Sequence, residues 1–323
     1  MKYIHVAVAV LFDADGKLLI ARRPEHLHQG GLLEFPGGKV ETGERVEQAL
    51  VRELGEELGV DVTHSPKHPL ICINYSYPDK NVCLDVWVVE GFRGEAQGRE
   101  GQPLFRMSVN DLTPETFPAA NKPIIDALKL PSRCLITGEY TSDDDMGSGL
   151  ERALGCGIRM VVLRAPALDR SAYVVWVEGI TGKWRDQFEF LLVHGESGLS
   201  LMKDTDLPVD GCHLTSVQLS ALQDRPIPDS KWLGASCHSL AELEKAHVLG
   251  CRYGFVSPVL PTLSHPDGEL LGWDGLEALT KCATFPVYAL GGVDDSNISQ
   301  AREAGCQGVA GIRAWWDNNL TNV

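Results

Sequence analysis

From Cys134 onward the sequence keeps one rhythm: eight short apolar runs, CLITG, IRMVVL, FEFLLVH, GCHL, WLGAS, YGFVSPV, PVYALGG and GVAGIR, separated by stretches of helical composition. A short apolar run without polar alternation is what a strand buried on both faces requires, and such strands belong to parallel sheets covered by helices. Eight of them alternating with helices over about 190 residues predict a compact (β/α)8 TIM barrel, the fold whose strand ends carry active sites. The preceding residues are organised differently. Strands are predicted at residues 4–12, 17–22, around 69–77 and 82–91, and helices at 44–58 and 120–130. Long strands that look antiparallel, with two helices, predict an α+β sandwich. The chain therefore reads as two domains, 1–130 and 131–323, and the join at 129–133 is too short to be a flexible linker.

The most unusual local stretch is GGKVETGERVEQALVRELGEELGV, residues 37–60. On a helix over 44–58, Glu53, Glu56 and Glu57 stand at i, i+3 and i+4, so three carboxylates share one face while Val46, Ala49, Leu50, Leu54 and Leu58 supply apolar positions elsewhere. Like charges this close repel, and the arrangement becomes favourable when a hard divalent cation such as Mg2+ sits among them. Arg52, four residues from both Gln48 and Glu56, can neutralise and orient a carboxylate. The turn Pro36-Gly37-Gly38 lets backbone approach a metal or phosphate closely, since glycine carries no Cβ. The bland alternative is a solvated acidic helix face, which is what most charge runs are.

The spacing favours the chemical reading. Gly38, five residues, Glu44, seven residues, Arg52-Glu53-Leu54, one residue, Glu56-Glu57, one residue, Gly59-Val60 resembles the complete Nudix box of the Nudix hydrolases. The resemblance implies metal-assisted attack of water on a nucleoside diphosphate linked to a further group, with Mg2+, or Mn2+ in its place, as cofactor. It implies metal ligation by Gly38, Glu53, Glu56 and Glu57, catalytic roles for Arg52, Glu53, Glu56 and Glu57 with Glu53 doubling as general base, and a supporting role for Glu44.

Flanking stretches resemble the MutT type of this family, the oxidised-guanine nucleotide diphosphatases: ARRPEHLHQGGLLEFPGGK, YPDK at 77–80, GREGQP at 98–103 and FPAANKPII at 117–125. The resemblance implies a small-molecule nucleotide substrate held by Arg23, Glu34, Phe35, Lys80 and Asn121, with Glu100 completing the metal site. An Asn amide both donates and accepts and suits a purine edge, a Phe ring suits its face, and Arg23 suits phosphate. Lys80 stands where the MutT pattern usually has arginine, which reduces a bidentate phosphate contact to a point charge. The bland alternatives are a core Phe35 and a helix-capping Asn121.

In the second half, GCHLTS, LGASCHSLAELEKA, YGFVSPVLPTLSH, YALGGVDDSNI and AGCQGVAGIRAWW resemble the thiamine-phosphate synthase and TenI group of barrels. The resemblance implies a thiamine-related phosphate ligand, with phosphate at Gly291, Gly292, Gly311 and Ile312. It also implies a proton-transferring histidine at His238, and Thr262 and Ser264 lining the pocket. The synthase's Arg-Glu-Lys run is here Arg164-Ala165-Pro166, its Asn-Asp pair is His194-Gly195, and its metal-binding Asp is Gln218. Loss of those acids argues against thiamine-phosphate synthesis. Two alternatives stand beside the oxidised-purine reading: a Nudix hydrolase of thiamine-pathway diphosphates with the barrel as thiazole tautomerase, or a barrel that serves as a non-catalytic ligand-binding scaffold.

Composition excludes some partners. A formal net charge of −15, with acids outnumbering bases on both sides of residue 130, argues against direct nucleic-acid binding. No apolar run is long enough for a membrane span, and the first residues lack a signal peptide's cleavage region, so a cytoplasmic location is expected. Nine cysteines scattered singly, with no CxxC pair, are expected to be reduced core thiols. Oligomeric state is not encoded in any of these features.

Overall fold

The structure, a computed structural model, describes residues 3–26, 28–262 and 269–316. The chain divides into two compact units, Met1–Lys129 with Lys281–Thr284, and Leu130–Thr280 with Phe285–Val323.

The first unit contains β1 (Tyr3–Phe12), β2 (Leu18–Arg22), β3 (Leu33–Glu34), β4 (Gly37–Lys39), α1 (Val46–Leu58), β5 (Lys67–Ser76), β6 (Asn81–Glu90), β7 (Leu104–Met107) and α2 (Lys122–Lys129). Its sheet runs β3-β2-β1-β6-β5, with β4 added to β1 and β7 to β2. One expectation is corrected here: the sheet is mixed, because β1 and β6 pair in parallel along their whole length, from Tyr3 opposite Asn81 to Phe12 opposite Glu90. The connection between them contains α1, the kind of long crossover that parallel pairing needs. Side-chain alternation along β1 feeds two cores. Val8 and Val10 join the cluster containing Ile124 and Ile125 of α2, whereas Ala7, Ala9 and Leu11 join the cluster containing Leu50, Leu54 and Leu58 of α1. The sheet is thus sandwiched between helices, as a Nudix fold requires.

α1 begins at Val46, two residues later than the acidic pattern suggests. Glu44 is occupied in the preceding turn, where its carboxylate accepts the Glu41 N–H at 2.9 Å. α1 ends at Gly59 in the left-handed region (φ 72°), whose N–H returns to the Gly55 carbonyl. α2 starts at Lys122, so Asn121 falls in the 3-10 turn Ala119–Asn121 that precedes it.

The second unit alternates β8 (Arg133–Ile136), α3 (Asp143–Gly155), β9 (Met160–Leu163), α4 (Arg170–Trp184), β10 (Phe190–His194), α5 (Gly195–Asp204), β11 (Gly211–Leu214), α6 (Ser216–Ala221), β12 (Trp232–Cys237), α7 (Leu240–Val248), β13 (Tyr253–Val256), α8 (Gly272–Thr280), β14 (Val287–Leu290), α9 (Ile298–Glu303), β15 (Gly308–Gly311) and α10 (Arg313–Trp316). Each of the eight strands falls on one of the apolar runs picked out from the sequence, with β8 and β12 each extending one residue beyond its run, at Arg133 and Cys237. They form a closed parallel barrel, with β15 returning to β8 through Val309 opposite Arg133. Met160, Val162, Tyr253, Phe255 and Tyr288 pack in one buried cluster of this barrel. Among the described residues no helix is long and apolar enough to cross a membrane.

Candidate active site

The acidic face of α1 meets the glycine strand β4. Arg52 organises this junction: its Nε and Nη2 donate to the two Glu44 oxygens at 3.0 and 2.9 Å, Nη1 donates to Glu53 Oε1 at 2.7 Å, and Nη2 also reaches the Lys39 carbonyl at 2.9 Å. Glu56 lies 3.6 Å from the same guanidinium and is mostly exposed. This bonding holds Glu44 below the usual carboxylate range, the Arg52 hydrogen bond being the main cause and the Glu41 N–H the next. Arg52 and Glu44 thus make a strut between loop and helix.

Glu53 packs directly on Gly38. A Cβ at residue 38 would lie 2.2 Å from the Glu53 carboxyl carbon, so only glycine permits this approach. We expect Gly38→Ala to displace Glu53 and reduce hydrolysis about 100-fold with the fold retained, since misplacing a reacting group by about 1 Å has that effect. Parallel measurements of turnover and far-UV circular dichroism check this, and unchanged turnover would refute it.

Glu57 accepts the Gly37 N–H at 3.3 Å. Burial pushes its carboxyl up to about 7; the Gly37 N–H opposes this, and the charges of Glu34, Glu53 and Glu100 reinforce it. Burial likewise raises Glu34, against the pull of its Arg23 partner and with Glu100 adding to the rise. Glu100 is exposed, on a loop pinned to α1 by Gln102, which accepts the Glu100 N–H at 2.9 Å and donates to the Glu57 carbonyl at 3.1 Å. The sequence reading overlooked Gln102, two residues beyond Glu100 in the quoted GREGQP run. Among the described residues no three His, Cys, Asp or Glu side chains already stand as a ready ligand set. The donor chemistry nevertheless fits a hard divalent cation: the negative charges of Glu34, Glu53 and Glu100 all act on part-buried Glu57, so four carboxylates offer oxygen donors near one another. Glu53 would exchange its Arg52 contact for such an ion.

The remaining MutT-type positions gather beside the β5–β6 turn. Arg23 pairs with Glu34 and donates through Nε to the His28 carbonyl at 3.0 Å. The His28 ring meets Tyr77 edge-on with centroids 4.9 Å apart, and its Nδ1 lies 3.4 Å from Asp79. Burial raises the Tyr77 phenol, and a hydrogen bond with the Ala120 backbone opposes the rise, which places Tyr77 beside the turn carrying Asn121. Asn121 is 9% exposed, and its amide has no protein hydrogen-bond partner among the described residues. Phe35 is 5% exposed and stacks on Phe117 at 5.4 Å, within the α2-side core. Lys80 is half-buried in the β5–β6 turn, where its carbonyl accepts the Tyr77 N–H at 2.8 Å. Sequence reasoning missed His28, Tyr77 and Phe117, although all three lie in or beside the quoted runs.

In the barrel, exposed His238 has Nδ1 2.7 Å from the Ser257 carbonyl, which fixes the proton on Nδ1 and leaves Nε2 as the basic nitrogen. Gly291 and Gly292 both have positive φ, and a Cβ on Gly292 would lie 2.6 Å from the Pro261 carbonyl oxygen. Chain packing alone therefore demands glycine at 292. Gly311 ends β15, and Ile312 leads into α10. Gln218 folds back on its own helix, accepting the Thr215 N–H at 3.0 Å as a cap. His194 is pushed down to about 4 by burial and the Arg164 charge, so it is neutral at pH 7. Its ring stacks with that of His213, which the sequence reading overlooked. His213 is fully enclosed and bonds Tyr253 Oη and Ser236 Oγ, each at 3.0 Å. Thr262 is among the described residues; Ser264 lies outside them.

A mixed sheet between two helices with a carboxylate-lined glycine loop, followed by a closed parallel barrel, defines a Nudix fold joined to a (β/α)8 barrel. Comparisons with known proteins agree. The NUDIX domain model matches residues 7–127 and the thiamine monophosphate synthase model matches residues 133–315. The chain belongs to the Nudix hydrolases through its first part and to the thiamine monophosphate synthase family through its second. It is similar to the 8-oxo-dGTP diphosphatase of Escherichia coli (strain K12), with 42% identity over 40% of this chain and 98% of that protein. It is also similar to the CTP pyrophosphohydrolase of the same organism, with 38% identity over 39% of this chain and 92% of that protein. The barrel is similar to the thiamine-phosphate synthase of Prochlorococcus marinus (strain MIT 9313), with 30% identity over 56% of this chain and 51% of that protein.

Proposed function

We propose that this protein hydrolyses oxidised purine nucleoside triphosphates of the 8-oxo-dGTP type to the monophosphate and pyrophosphate, sanitising the cytoplasmic nucleotide pool. The functional halves are residues 1–130 and 131–323. Asn121 carries the purine assignment, because a nearly buried amide without a protein partner among the described residues is suited to a ligand that both donates and accepts. Similarity to an 8-oxo-dGTP diphosphatase supports the same reading. Mg2+, or Mn2+ in its place, would be held by Glu53, Glu56, Glu57 and Glu100 with the Gly38 backbone, and would supply neutralisation of phosphoryl charge and acidification of water. Glu53, released from Arg52 on metal binding, would turn one oxygen to the ion and use the other to take the proton of the attacking water. Arg23 and Lys80 would orient phosphate, Glu34 would keep Arg23 in place, and Phe35 with Phe117 would form the apolar support of the base.

A pyrophosphate-release assay across 8-oxo-dGTP, dGTP, CTP and thiamine-pathway diphosphates tests the reading. Preference for 8-oxo-dGTP supports it. Preference for a thiamine-pathway diphosphate would favour the second reading, which the presence of both families in one chain motivates.

For the barrel, we propose binding of a thiamine-related phosphate at Gly291, Gly292, Gly311 and Ile312, without thiamine-phosphate synthesis. Gln218 in place of the acid is committed to capping α6, and His194 is neutral, so the charges for a metal-bound diphosphate are missing. We expect calorimetry to detect thiazole phosphate binding to the full-length protein, and His238→Ala to abolish thiazole tautomerisation while sparing binding. Thiamine phosphate formation would overturn the proposal, and absence of binding would make the barrel a scaffold.

A further inference from the structure

Two of the cysteines expected to be isolated core thiols meet on the sheet. Cys72 on β5 stands opposite Asp85, and Cys83 on β6 stands opposite Asn74, so the two are diagonal neighbours on one face. Their sulfur atoms are 3.5 Å apart and share a hydrogen bond. Both side chains are half-buried and therefore open to small solutes. No other two cysteines among the described residues share a hydrogen bond; five are buried, and Cys156 and Cys282 are exposed singly.

The neighbourhood favours a reactive thiolate. β1 places His5 opposite Cys83. His5 Nε2 lies 3.2 Å from Asp85 Oδ2, and Asp85 Oδ1 accepts the Trp87 indole N–H at 2.8 Å. The hydrogen bond from Cys72 lowers the Cys83 thiol against desolvation, with His5 helping and Asp85 opposing. Cys72 is raised in return, again chiefly by the shared hydrogen bond. A thiolate at Cys83 beside a protonated thiol at Cys72 is the arrangement of an attacking and a resolving cysteine.

We propose that Cys72 and Cys83 form a dithiol that hydrogen peroxide oxidises to an intramolecular disulfide. The Cys83 thiolate attacks one peroxide oxygen, the O–O bond breaks, and the departing hydroxide takes a proton to leave as water, giving Cys83 sulfenic acid. Cys72 then attacks the sulfenic sulfur, the S–O bond breaks, and hydroxide leaves as water with the Cys72 proton. Two thiols are oxidised and one peroxide is reduced to two waters. Closure requires the sulfur atoms to move from 3.5 Å to about 2.05 Å apart. Side-chain rotation and a small shift of β5 provide this, because β5 is the outer strand of its sheet.

The full-length protein is treated with one equivalent of hydrogen peroxide, quenched with catalase, alkylated, and digested without reductant for mass spectrometry. A disulfide joining the Cys72 and Cys83 peptides, reversed by dithiothreitol and formed before Cys156 or Cys282 is modified, is the expected result. Cys72→Ser should leave a sulfenic acid at Cys83 that dimedone traps, and Cys83→Ser should slow the first oxidation about tenfold or more, as loss of the thiolate nucleophile requires. First oxidation at Cys156 or Cys282, a different disulfide, or an unchanged rate in Cys83→Ser would overturn the proposal. The wild-type peptide map decides even where a variant folds poorly.

Discussion

Glu57→Gln is expected to lower nucleotide hydrolysis by about 1,000-fold or more, because it removes a charge assigned to the metal face, while making the metal-free protein more stable above neutral pH. The sign follows from the direction of the shift. Burial raises the folded-state pKa of Glu57 from the ordinary 4.5 to about 7. Its proton-linked stability is therefore fully present below the unfolded-state value and is lost as pH rises through about 7. A shift of this size corresponds to about 2–3 kcal/mol of stability lost from the Nudix half between pH 4.5 and pH 8. Glutamine cannot ionise and should flatten that dependence. Thermal melts at pH 5 and pH 8 in chelator, alongside turnover with Mg2+, provide the test. Adding Mg2+ should narrow the stability difference from the wild-type side. A variant that is inactive and equally pH-sensitive would place the penalty elsewhere, and a fully active one would remove Glu57 from the site.

Asn121→Ala should damage discrimination more than chemistry. Losing a pair of base-edge hydrogen bonds costs about 1–3 kcal/mol, so the preference for 8-oxo-dGTP over dGTP should fall by about 10- to 100-fold. The carboxylates of α1 and the glycines of β4 are untouched by the substitution, so dGTP turnover should change much less. The ratio of kcat/KM values for the two nucleotides is the relevant measurement. An unchanged ratio would assign base reading to another group in the Tyr77 and His28 neighbourhood.

The parts legible in the sequence are those in which the pattern is local. Glu53, Glu56 and Glu57 share a face because three and four residues make nearly one helical turn, and the eight barrel strands show as apolar runs because both their faces are covered. What escaped depends on pairing between distant segments. Nothing in β1 or β6 alone states that they run parallel, and the thiol pair arises only once Cys72 and Cys83 are aligned by the β5–β6 register. Gln218 looks in sequence like a lost metal ligand, yet its three-residue spacing from Thr215 is also that of a capping box, which is the local use it is given. Phe35 precedes Pro-Gly-Gly in a functional loop, and only the packing of Phe117 across from it brings the ring into the core.

The β15-to-β8 closure orders events on the ribosome. Among the described residues the Nudix sheet has no pairing strand beyond Leu104–Met107, so a nascent chain can pair its strands once β7 has emerged. The barrel's earliest strand, Arg133–Ile136, has one flank open until Gly308–Gly311 has been synthesised. Throughout that interval the growing barrel presents unpaired backbone edges to other chains, a condition that favours misassociation. Premature termination before β15 would therefore leave a paired Nudix sheet tethered to an open, adhesive sheet.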